Sequence, residues 1–179
     1  MDRLHKKYKS VRFITLTAAF LALLIIFKSL SASLGQMVTG SLVNFVLISA
    51  TLLAGWKSGL VIALLSPFFA KLFGIGPIYP ILPVVAIGNA TLVGVYAFIM
   101  SRSFNSVLRW VASVIVAAML KYAVLTVGVV KLVLPLISVP APQATKLAAM
   151  FGTTQLFTAL IGGAVAFIAV PLIQKAVKR

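Results

Sequence analysis

Apolar residues gather into six long blocks along this chain, at 11–34, 40–54, 58–73, 79–100, 107–132 and 147–170. About 20 apolar residues cross a bilayer core as a helix, so each block is predicted to be a transmembrane helix, the second and third being short. Gly55-Trp56-Lys57 makes a tight connection between those two, and Gly74-Ile75-Gly76-Pro77 precedes the fourth. Pro135, Pro140 and Pro142 are expected to keep the last connection non-helical. The first block follows a basic stretch, as in a signal peptide. It is longer than the 7–15 residues of a signal core, and no small-residue cleavage site follows, so it reads as a membrane helix. The reading is all-α: one membrane domain over 1–179 with six transmembrane helices, no soluble domain and no internal repeat.

Composition sharpens that picture. Of the 179 residues 62% are hydrophobic and 9% charged, and the mean hydropathy is +1.17. A soluble domain averages about 25% charged residues, so a soluble enzyme, a nucleic-acid binder and a secreted module are poor readings. Sixteen Lys and Arg face one acidic residue, Asp2. With a cytoplasmic N-terminus, Arg3, Lys6, Lys7, Lys9, Arg12, Lys57, Arg102, Arg109, Lys175, Lys178 and Arg179 fall inside. Only Lys71, Lys131 and Lys146 fall outside. That positive-inside bias places both termini in the cytoplasm, and the bases meet lipid headgroups rather than nucleic acid.

Catalysis finds no candidates. Asp, Glu and His, which carry acid–base and metal chemistry, are absent after His5, and there is no cysteine. His5 reads as a solvated tail residue. No catalytic residue, metal site or intramembrane proton relay is expected.

Two features stand out. Ala18 and Ala22 lie four apart on the first helix, the spacing that lets another helix approach closely in lipid; the plainer reading is ordinary internal packing, as for Ser113/Ala117 and Gly162/Ala166. The second feature is depth. Lys28, Asn44, Lys71, Asn89, Lys121, Tyr122 and Gln155, with Thr153 and Thr154, all fall in the outer half of the spans. The inner half holds mainly Ser49, Thr51, Ser113 and Tyr96. Polar side chains inside spans usually face the bundle or a cavity. The expected pocket opens outward, is lined by Asn44, Asn89, Lys121, Tyr122, Gln155 and Lys28, and holds a small polar solute. Lys71 reads as snorkelling to the headgroups. Lys121 is deeper and has no acidic partner in the membrane. It either gives up its proton or meets a negative group from outside the chain, such as a substrate carboxylate or phosphate.

The stretch Ser66-Pro67, Pro77, Pro80, Pro83 and Gly88-Asn89-Ala90-Thr91-Leu92-Val93, with Ala18-x-x-x-Ala22, resembles the S components of energy-coupling factor (ECF) vitamin transporters. The six-helix plan of similar length resembles them too. The resemblance implies a multi-pass subunit of a bacterial-type cell membrane that captures a vitamin or precursor near the outer face. It implies partners: a T subunit and two cytoplasmic ATPases that use the ATP, this chain binding no cofactor and having no Walker motif. It implies that Ala18 and Ala22 meet the T subunit and that Asn89 contacts ligand. The Gly74–Pro80 and Pro135–Pro142 loops would help close the pocket. Lysines without carboxylates favour an acid such as pantothenate over a cation such as thiamine. The alternatives are a stand-alone homo-oligomeric transporter or channel, and a scaffold protein that binds nothing.

Overall fold

The computed structural model describes residues 2–103 and 105–177, with side chains at position 8 and from position 10 onward. His5, the bases of the N-terminal tail up to Lys9, and Lys178 and Arg179 therefore lie outside the described side chains. The described residues are helical, with no strand. Seven main helices follow one another: α1 (Asp2–Leu30), α2 (Gln36–Leu53), α3 (Trp56–Leu72), α4 (Leu82–Met100), α5 (Ser106–Leu125), α6 (Ala141–Phe151) and α7 (Thr154–Val177).

Apolar composition explains why helices form, since in lipid each helix satisfies its own backbone. Among the described residues five stretches are long and apolar enough to cross a membrane: Ser10–Leu30, Gln36–Leu53, Tyr79–Met100, Ser106–Leu136 and Ala141–Val177. The third predicted span, α3, has 17 residues, about 25 Å. Gly55 adopts φ 98°, a conformation that side chains rarely take, and so lets α3 follow α2 with only two residues between them.

Three boundaries differ from the sequence reading. The first span ends at Leu30, and Ala32–Leu34 forms a separate 3-10 turn. The fifth continues past Leu125 as a π-helical segment, Thr126–Val133, and a last turn, Leu134–Leu136. Pro135 therefore sits within the rod, in that last turn, and not in a non-helical connection. Only Ile137 to Pro140 is non-helical there. The sixth predicted span is two helices, because Gly152 leaves the helical basin at the end of α6. Side chains of the next helix then satisfy the carbonyls exposed at that end. Thr154 Oγ1 donates to the Ala149 carbonyl and Gln155 Nε2 to that of Met150, both at 2.8 Å.

The main core is formed by α2, α3, α4, α5 and α7 around Leu47, Ile62, Leu92, Tyr96, Ala117 and Ala159. A smaller cluster, Ile81, Leu125, Val129, Leu147 and Phe151, ties α6 to the π segment and the start of α4.

Candidate functional site

Glycines set the distances on which the site depends. A Cβ on Gly162 of α7 would lie 2.6 Å from the Ser41 carbonyl oxygen and 2.7 Å from the Phe45 nitrogen. Only hydrogen there lets α7 touch the backbone of α2. One turn away, Gly40 lies against the Thr158 side chain in the same manner. These two contacts bring Asn44 beside Thr158. Between α4 and α5, Gly88 lies against Leu125, and Gly128 of the π segment lies against Val84. That approach brings Asn89, next to Gly88, within reach of Lys121.

Lys121 is 2% exposed, the most deeply buried described cation. Its Nζ donates to Asn44 Oδ1 at 2.6 Å and to Asn89 Oδ1 at 2.7 Å. The polar chain continues. Asn44 Nδ2 donates to Thr158 Oγ1 at 3.3 Å, and the Thr158 hydroxyl donates to the Gln155 carbonyl at 3.1 Å. Each amide is thereby oriented, because an ammonium only donates and an amide oxygen only accepts. No carboxylate takes part, since no Asp or Glu occurs after Asp2. Both hydrogen bonds of the Lys121 Nζ end on neutral amide oxygens, and no described acidic side chain stands beside it.

Lys121 and Asn89 line a cavity of about 70 Å³. Around it stand Lys28, Gln36, Thr39, Ser66, Gly76, Pro77 and Gln155, with apolar walls from Leu24, Val43, Val85 and Phe151. Helices α1 to α7 all contribute, together with the loop between α3 and α4. The lining carries two lysines, amides and hydroxyls, and no carboxylate.

The structure thus brings together Lys28, Asn89, Lys121 and Gln155 on one cavity, with Asn44 immediately behind Lys121. It does not bring Tyr122 there. Tyr122 is half-buried and outside the lining, because one residue along a helix turns the side chain about 100°. Asn44 holds Lys121 in place rather than lining the void. Gln155 has a structural task as well, closing the end of α6. Sequence reasoning missed Thr158, which lies three positions after Gln155 and so on the same face of α7. It also missed Gln36, Thr39 and Ser66 as lining, and Gly162 as the contact that places Asn44.

Ala18 and Ala22 are exposed. They line a groove of about 750 Å³ between α1 and the end of α3, with Leu21, Ile25, Ile26, Phe69 and Phe73. Ser113, Ala117, Gly162 and Ala166 are by contrast buried in the bundle.

The chain matches the family model described as "ECF transporter, substrate-specific component" over residues 12–174. No curated protein and no solved structure matches it. Such components bind and carry a substrate in the membrane and are not enzymes. The helical bundle that the described residues form agrees with that match, and the chain belongs to the substrate-specific (S) components of ECF transporters.

Proposed function

We propose that this S component captures a small, water-soluble anionic vitamin or precursor, with pantothenate as the first candidate. The observation that carries the reading is Lys121. An ammonium held by two amide oxygens at 2.6 and 2.7 Å stands at a cavity whose lining has no carboxylate. A ligand carboxylate supplies the missing charge, and Lys28 adds a second cation to the same cavity. Asn89 and Gln155 supply hydrogen bonds to hydroxyl and amide groups of the ligand. Ligand pockets usually measure about 300–1,000 Å³, against about 70 Å³ here. Seating a vitamin therefore requires the walls to part. The loop carrying Gly76 and Pro77 is the wall that no helix holds, and it is the one expected to move.

The arrangement in the membrane follows from the charge bias read in the sequence. Both termini face the cytoplasm of a bacterial-type membrane, and the Gly76–Pro77 loop faces outward. Membership of the family implies association with T and ATPase subunits. In our reading ATP is used by two partner ATPases, this chain binds no cofactor, and the exposed Ala18/Ala22 face meets the T subunit.

The test compares pantothenate with panthenol, which carries a hydroxymethyl group in place of the carboxylate. A ligand that binds only the folded protein raises its apparent stability. Pantothenate should raise the melting temperature of the purified chain and panthenol should not. Equal shifts would reject anion recognition, and no shift across a panel of acidic vitamins would reject the proposal for this cavity.

A further inference from the structure

A second cleft lies outside the first. It measures about 550 Å³, and its walls are the loop after α3 and the beginning of α6. Gly76, Pro77 and Met150 line both spaces, so a single thin partition separates them. Two lysines stand in the outer cleft: Lys71, held 5.1 Å from the Tyr79 ring, and Lys146, whose side chain is exposed. At the partition stands a third. A Cβ on Gly76 would lie 3.3 Å from Lys28 Nζ, which places that ammonium directly beneath the loop. Lys121 is the fourth, on the far side. Each step from the outer cleft to the inner cavity meets a cation, and neither lining contains a carboxylate.

We infer that the outer cleft is an anion vestibule, in which Lys71 and Lys146 attract small organic anions and pass them beneath Gly76 and Pro77 to Lys28 and Lys121. Clefts lined by one sign of charge raise the local concentration of the opposite sign, with on-rates rising about 10- to 1,000-fold. Lys71 and Lys146 thus govern the rate of arrival, and Lys121 governs retention. The inference rests on the inner cavity being the ligand site.

The absence of cysteine allows a test that needs no known ligand. Val85 lines the inner cavity without belonging to its polar network. Val85→Cys in the full chain, in phosphatidylcholine nanodiscs, is treated with a sulfonatoethyl or a trimethylammonium-ethyl methanethiosulfonate. Each rate is divided by that reagent's rate with 2-mercaptoethanol. The anionic reagent should be favoured at least tenfold. Lys71→Gln with Lys146→Gln should lower that preference at least threefold, and Lys→Arg at both positions should restore it. Raising the salt to 1 M, where the screening length is about 3 Å, should also weaken it. An unchanged preference in the Gln variant overturns the inference, as does a thiol that neither reagent reaches. Pantothenate stabilisation measured on the same proteins separates the two readings. Preference without stabilisation removes pantothenate and keeps the vestibule, whereas stabilisation with the preference unmoved by Lys71 and Lys146 removes the vestibule alone.

Discussion

Asn89→Asp replaces one amide by a carboxylate of the same shape and so isolates charge from packing. The Oδ1 that accepts from Lys121 at 2.7 Å is retained, and a negative charge arrives beside the ammonium. A ligand carboxylate about 4 Å from Lys121 gains about 4 kcal/mol at an effective dielectric constant of about 20. The same carboxylate about 5 Å from the new aspartate loses about 3 kcal/mol. After solvent screening we expect at least a tenfold loss of pantothenate affinity, about 1.4 kcal/mol. The fold should not suffer, because the new carboxylate compensates a charge that is already buried. Lys121→Met gives the opposite pattern in the ligand-free protein. It also abolishes anion binding, but it leaves Asn44 Oδ1 and Asn89 Oδ1 without their donor, at about 1–3 kcal/mol for each buried unsatisfied group. Calorimetric titration with pantothenate and thermal unfolding of both variants check the pair. Asn89→Asp binding pantothenate within threefold of the parent would refute the reasoning, as would Lys121→Met melting at or above the parent temperature.

Gly162→Ala should lower the melting temperature, with a cost of about 1–3 kcal/mol, because the added methyl meets the Ser41 and Phe45 backbone and the Asn44 Cβ, which is fixed to that backbone. It should also weaken ligand binding by drawing Asn44 away from Thr158, and an unchanged melting curve would show that α2 and α7 have room to part. Ala18→Trp or Ala22→Trp should block uptake by the assembled transporter while ligand affinity of the isolated chain stays intact, since both side chains are exposed and outside the cavity lining; equal loss of both properties would end the docking assignment. Asn105→Ala should cost about 1 kcal/mol of stability, read by thermal unfolding, because Asn105 Oδ1 accepts from the Val107 and Leu108 amides at the start of α5. Ligand affinity should be unaffected by that last change.

The depth of the polar residues is legible from their positions along the chain. A helix rises about 1.5 Å per residue, so counting from the block ends places Lys121, Asn89 and Gln155 at similar heights. What counting leaves open is the direction in which each points. Blocks that are apolar on every side carry little amphipathic signal, and so Tyr122 stands beside Lys121 as an equal candidate. Packing separates them: Lys121 turns toward Asn44 and Asn89, and Tyr122 does not. The break after α6 is hidden for a related reason. Gly152-Thr153-Thr154-Gln155 interrupts the apolar run for only four residues, too few to separate two blocks by hydropathy, and the break shows in the Gly152 backbone and in the hydrogen bonds of Thr154 and Gln155 to the preceding turn.

Composition alone pointed to a membrane-embedded helical chain with no Asp, Glu, His or Cys after His5, because hydrophobicity and residue inventory do not depend on arrangement. Tertiary structure decided which polar groups meet. That choice depends on how closely helices approach, and the approach is set by single missing methyl groups at Gly40, Gly88, Gly128 and Gly162. No spacing rule along one helix contains the partner against which such a glycine will rest.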